Sequence, residues 1–173
     1  MTIRALPLAL AAALASSAAL AQPATVKVEL KNAAGASAGS ATLTDAPKGV
    51  LIRVEARGLT PGWHGLHFHE TGDCSKSDFT SAGGHTHGGG DRKHGLLNPD
   101  ANETGDLPNL FAAADGSATG EFYSTLVSLK GAGGRQGLQD ANGSALLIHA
   151  SADDQTTQPI GGAGARVACG VIK

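Results

Sequence analysis

The chain has 173 residues, a formal net charge of −2, 16% charged residues and 3% aromatics. That length supports one domain with a real core. The near-neutral charge, with no basic stripe, excludes a nucleic-acid partner, and no apolar run is long enough to span a bilayer comfortably, so no membrane partner is expected.

Residues 1–21 read as a signal peptide. Arg4 supplies the positive start, residues 6–20 an Ala- and Leu-rich run interrupted at Pro7, and Ala19-Leu20-Ala21 a small-x-small cleavage site. Cleavage there leaves a domain over 22–173 and, with Arg4 gone, shifts the net charge of −2 to about −3. An exported chain with this leader is expected in the periplasm.

The mature chain has no long 3.6-residue period, and 25 glycines punctuate short apolar alternations, which favours strands over helices. Residues 26–30 alternate as a strand with one wet face. After a turn over 33–39, residues 40–44 return as a second strand. Pro47-Lys48-Gly49 breaks it, and residues 50–56 form a third, with Val50, Ile52, Val54 and Ala56 on one face. Pro61-Gly62 ends a turn, and residues 65–70 form a fourth. From 71 to about 108 no element is expected. A loop of that length in a compact domain is commonly functional. Strands resume at 109–113, 120–123 and 125–129. Residues 131–142 read as irregular, 145–149 as a strong apolar strand, 151–164 as a second long loop, and 166–172 as the closing strand. The sum is about eight strands, all-β, a sandwich or barrel.

Cys74 and Cys169 are the two cysteines. In an exported chain one disulfide is the default. Two free thiols or two soft metal ligands are the alternatives.

The seven histidines carry the chemistry. A lone histidine is usually a surface or satisfied core residue. His67 and His69, however, are two apart on a strand, so they share one face while Leu66 and Phe68 share the other. His149 ends a rigid apolar strand. His85, His94 and Asp106 occupy the long loop. Thiolate-free, imidazole-rich ligation suits copper or zinc, and a carboxylate among imidazoles suits zinc. The residues alone therefore predict one or two transition-metal ions.

Several stretches now fall into one order: Gly65-Leu66-His67-Phe68-His69-Glu70, Gly84-His85, Lys93-His94-Gly95, Gly105-Asp106-Leu107-Pro108-Asn109-Leu110 and Gly164-Ala165-Arg166-Val167-Ala168-Cys169-Gly170-Val171-Ile172. Over most of the mature chain this resembles the copper–zinc superoxide dismutase family, most closely its exported bacterial branch. The resemblance implies an eight-stranded Greek-key β-barrel or sandwich, immunoglobulin-like, with two long functional loops. It implies dismutation of superoxide with copper and zinc as cofactors. His67, His69, His85 and His149 match the copper ligands, with His85 bridging to zinc and serving as proton carrier. His94 and Asp106 match zinc ligands. Arg166 matches the arginine that attracts and orients superoxide. Cys74 and Cys169 match the disulfide that ties the long loop to the barrel. Asp153, or its neighbour Asp154, matches the carboxylate that hydrogen-bonds histidines of both metals; Asp153 is favoured. Bacterial members vary in assembly, so a homodimer is compatible, although no strand announces an interface.

One departure stands out. The family's third zinc histidine lies three residues before the zinc aspartate, and here that position is Glu103. A carboxylate can ligate zinc, so Glu103 is expected to do so. His87 is a spare ligand and otherwise a surface residue. His64 is expected to be a hydrogen-bonded structural histidine. Two other functions compete: a copper-only dismutase with a degraded zinc site, and a non-catalytic periplasmic metal-binding protein. Storage has no need of Arg166, which argues against the second. A zinc hydrolase lacks an obvious general base or nucleophile.

Overall fold

The computed structural model describes residues 22–173, so the expected signal peptide lies outside the described residues. β1 (Thr25–Asn32), β2 (Ser37–Ala46) and β3 (Gly49–Ala56) form an antiparallel meander. Their apolar alternation sets the register, pairing Val28 with Ala41 and Leu43 with Ile52. On β3, Val50, Ile52, Val54 and Ala56 point inward, while Leu51, Arg53 and Glu55 face solvent.

The chain continues through β4 (Gly62–His64), β5 (Leu66–His69), β6 (Leu110–Ala112), β7 (Ala118–Ser124), β8 (Val127–Ser128), β9 (Gln136–Gly137), β10 (Ser144–His149) and β11 (Arg166–Ile172). Nine of these strands form one sheet in the order β4-β6-β7-β3-β2-β1-β11-β10-β5. Its two outermost strands, β4 and β5, are chain neighbours separated only by Gly65. The sheet therefore curls into a nearly closed antiparallel barrel. At the seam between β4 and β5, Gly65 extends the pairing of β5 with β10: its N–H donates to Ser151 O at 2.8 Å and its carbonyl accepts from His149 N–H at 2.9 Å.

The strand expected at 65–70 is β5, Leu66–His69, and a three-residue strand that was not expected, β4, precedes it and holds His64. Residues 131–142, expected to be irregular, contain β9, which pairs in parallel with β8. Two-residue strands carry no readable alternation, which is why they escape a periodicity argument. Residues 71–108 hold one short 3₁₀ turn, Thr80–Ala82, and no strand. They are nonetheless fastened to β5 by isolated backbone bridges, His67 with Asp106 and His69 with His85.

The barrel interior is filled by Leu30, Leu43, Ile52, Leu66, Phe68, Leu146 and Ile148, all fully buried. Each such side chain contributes about 1.5–3 kcal/mol through burial. β5 and β10 are buried on both faces. On the outer face Ala145 and Leu147 of β10 and Cys169 of β11 pack under Phe79 and Ala82 of the long loop, with Cys74 against them. Cys74 and Cys169 form a disulfide with Cα atoms 5.9 Å apart, closing 95 residues of chain. His67 and His69 lie on that same outer face, opposite Leu147 and Ala145 in register. The loop that covers the second apolar cluster therefore also covers the histidines.

Candidate metal centre

Four histidines converge beside this seam. His67 and His69 come from β5, His149 from the end of β10, and His85 from the loop bridged to His69. All four are buried, and each offers a ring nitrogen within 4.8 Å of the others. The offered atoms are His67 Nδ1, His69 Nε2, His85 Nε2 and His149 Nε2, and none of them has a hydrogen-bond partner. A buried polar atom without a partner costs about 1–3 kcal/mol, so four pointing at one another mark a place built for something else.

The opposite ring nitrogens are anchored, and the anchors fix the tautomers. His69 Nδ1–H donates to Gly83 O at 2.9 Å, and His149 Nδ1–H donates to Gly164 O at 3.0 Å. A carbonyl only accepts, so in each ring the inward nitrogen carries the lone pair. His67 Nε2–H donates to Asp153 Oδ2 at 2.8 Å, leaving its Nδ1 as the lone-pair atom. Burial pushes His67 down to about 4 and His149 to about 3, and takes His69 well below its ordinary value. These three imidazoles are neutral donors.

His85 faces a second cluster with its other nitrogen. Its Nδ1 lies 2.7 Å from Glu103 Oε2 and 2.9 Å from Asp106 Oδ1. His94 Nδ1 lies 3.1 and 3.0 Å from the same two oxygens. Four donors at 2.7–3.1 Å are slightly closer than the roughly 3.4 Å edge of a tetrahedron with ~2.1 Å bonds. A small outward movement would make them fit a zinc ion. Electrostatics here run opposite to the first cluster. Burial disfavours a charged His94, but Asp106, Asp153 and Glu103 outweigh it and raise its pKa to about 11. His85 is likewise raised against its burial by Asp106 and Glu103. Burial would raise Asp106 and Glu103, but the facing imidazoles hold both below their ordinary values.

Asp153 spans the two clusters, accepting from His67 Nε2 and, at 3.0 Å, from His94 Nε2. Asp154 points elsewhere and caps the turn at Thr156 and Thr157. Arg166, half-buried at the start of β11, donates to Phe79 O and Gly83 O at 2.6 Å each. Gly83 O thus receives both a cluster histidine and the arginine. Burial lowers the pKa of Arg166 from its ordinary value, with Asp78 opposing.

His87 joins neither cluster. Its Nδ1 accepts from Gly89 N–H at 3.1 Å, and its Nε2 lies 3.9 Å from Glu70 at the surface. His64 is structural: its ring nitrogens reach His149 O at 2.6 Å and Thr60 O at 2.7 Å. Nothing in the sequence pointed to Gln155, Gln158 or the carbonyls of Phe79, Gly83 and Gly164. Loop amides have no distinctive pattern, and a backbone carbonyl carries no residue identity at all.

The fold and these clusters define a β-barrel metalloprotein with an imidazole site joined through one histidine to a mixed imidazole–carboxylate site. Residues 37–172 match the family described as copper/zinc superoxide dismutase. A Cu-Zn superoxide dismutase of Caulobacter vibrioides is 67% identical over 139 residues, covering 80% of each chain. The structure of a Cu/Zn superoxide dismutase from Brucella abortus matches with a TM-score of 0.70 at 30% identity, covering 87% of this chain and 100% of that one. The structure of a SOD-like protein from Bacillus subtilis matches with a TM-score of 0.79 at 38% identity, covering 85% and 97%. The chain belongs to the copper/zinc superoxide dismutase family, and copper and zinc are the metals its donor sets fit.

Proposed function

We propose that the chain dismutates superoxide at copper held by His67, His69, His85 and His149, beside zinc held by His85, His94, Glu103 and Asp106. The observation that carries this is the set of four buried, unpartnered ring nitrogens aimed at one point. Copper held there would supply the one-electron couple for the overall change, in which one superoxide is oxidised to dioxygen and a second, with two protons, is reduced to hydrogen peroxide.

The chain supplies the rest. Arg166, fixed by two loop carbonyls, presents a positive charge and free N–H donors to a small anion. The net negative charge of the mature domain, about −3 once Arg4 is removed, repels that anion at long range, so local focusing by Arg166 matters more. His85 holds a proton at Nε2 and delivers it to the reduced product, while Glu103 and Asp106 fix its Nδ1 side. Asp153 keeps the rings of His67 and His94 oriented, the usual work of an outer partner to metal-bound imidazoles. The leader pattern at 1–21 and the disulfide support work in the periplasm, over a mature domain of 22–173.

The test is superoxide decay followed by pulse radiolysis on chain loaded with both metals. Catalysed decay supports the reading, and a copper-loaded sample that consumes none sinks it. A copper-only dismutase is the second reading, favoured by Glu103 where the family has histidine. Zinc retained by protein purified without added metal would exclude it.

A further inference from the structure

His94 lies in a stretch without regular structure, yet its backbone is held from another loop. Its N–H donates to Gln158 Oε1 at 2.8 Å, and its carbonyl accepts from Gln158 Nε2 at 2.9 Å. One side-chain amide thus satisfies both backbone groups of one residue, as a neighbouring strand would. Gln155 laces the next residues to the same loop. Its carbonyl accepts from Leu97 N–H at 3.1 Å, its Oε1 accepts from Leu96 N–H at 3.2 Å, and its own N–H donates to Asp153 Oδ1 at 2.6 Å. The chains approach so closely that a Cβ on Gly95 would lie 2.1 Å from Gln155 O, at a φ of +113° that favours glycine.

The placement matters because of what surrounds His94. In the mixed cluster His85 is shared with the imidazole cluster, and Glu103 stands where an imidazole would. His94 is therefore the one unshared imidazole there. Its ring is aimed by Asp153, from the same loop that carries Gln158.

We infer that Gln158 is a positioning residue for zinc, setting the backbone of His94 so that its Nδ1 meets Glu103 and Asp106. The inference rests on His94 being a zinc ligand. Loss of an outer partner costs about 10–100-fold in metal affinity. None of the four histidines of the imidazole cluster hydrogen-bonds Gln158, so copper should be spared.

The experiment uses the full mature chain, copper-loaded, as wild type, Gln158→Ala, Gln158→Glu and His94→Ala. Zinc affinity is read by competition with a chromophoric chelator, and cobalt(II) in the zinc site reports geometry through its visible spectrum. Gln158→Ala should bind zinc about 10–100-fold more weakly, with altered cobalt bands and unchanged copper content. Gln158→Glu should fall between, because its carboxylate still accepts from His94 N–H but has no N–H for the carbonyl. Wild-type zinc affinity and cobalt bands in Gln158→Ala would overturn the inference. So would a metal-free melting temperature that falls far enough to account for the zinc loss, since that marks a general structural role. If His94→Ala loses zinc while Gln158→Ala does not, only the role of Gln158 fails. If His94→Ala also keeps zinc, the ligand assignment beneath it fails.

Discussion

The two halves of the metal centre share His85 and Asp153 but are built on opposite principles. The imidazole half takes three of its histidines from β5 and β10, strands buried on both faces, and burial keeps those three neutral. The mixed half takes His94, Glu103 and Asp106 from the long loop and balances charge against charge. The first is rigid because the barrel is rigid. The second is rigid only because bridges, amides and carboxylates pin a loop down. A soft, electron-transferring ion gains from neutral imidazoles, and zinc tolerates carboxylates.

The comparison can be broken most forcefully on the imidazole side. His149→Ala removes a donor from the strand scaffold. Copper affinity should fall by more than the roughly 100-fold expected for an outer partner alone, with the metal-free fold intact by thermal melting and zinc still bound. Retained copper would mean that the four nitrogens do not act as one site. Arg166→Ala leaves both donor sets untouched. Steering contributes on the order of 10–1,000-fold to encounter rates, so the rate should drop at least about tenfold and lose most of its salt dependence, with copper content unchanged. An unaltered rate at low salt would refute the steering role.

Separating Cys74 from Cys169 with a Cys74→Ser, Cys169→Ser double variant frees the loop that carries the mixed half. The closed loop of 95 residues is worth up to about 4–5 kcal/mol by chain entropy, less where the unfolded chain retains structure. Denaturant unfolding should show a loss approaching that, and zinc should leave before copper on dialysis against chelator. The smallest effect is in pH. In the metal-free chain, His67 at about 4 and His149 at about 3 lie below their unfolded value of 6.5. The unfolded chain then binds more protons, so these groups lower stability progressively as pH falls from 6.5 through that window. His94, raised to about 11, contributes stability that is fully present below 6.5 and is lost as pH rises toward 11. Denaturant midpoints of the metal-free protein should thus fall on both sides of neutrality, with His149→Ala flattening the acid limb and His94→Ala the alkaline one.

The legibility of the molecule follows the same division. Apolar alternation at 26–30, 40–44 and 50–56 reveals the meander, because one wet and one dry face leave a period of two. His67 and His69 are visible for the same reason. Residues 71–108 show no periodicity, since their order comes from isolated bridges, a disulfide and scattered buried residues such as Phe79 and Ala82 rather than from an alternating face. Glu103 was legible only against the family pattern. That Gln158 and Asp153 reach His94 from 64 and 59 residues away in sequence is a tertiary fact with no local trace.

The central claim is that the mixed half is a working zinc site in which Glu103 replaces an imidazole. The direct measurement is a copper and zinc count per chain on wild type, Glu103→His and Glu103→Gln, purified without added zinc. The account predicts zinc alongside copper in wild type and Glu103→His. It predicts zinc lost with copper retained in Glu103→Gln, whose neutral amide is a poor ligand. Zinc absent from wild type but gained in Glu103→His, or equal zinc in wild type and Glu103→Gln, would contradict it.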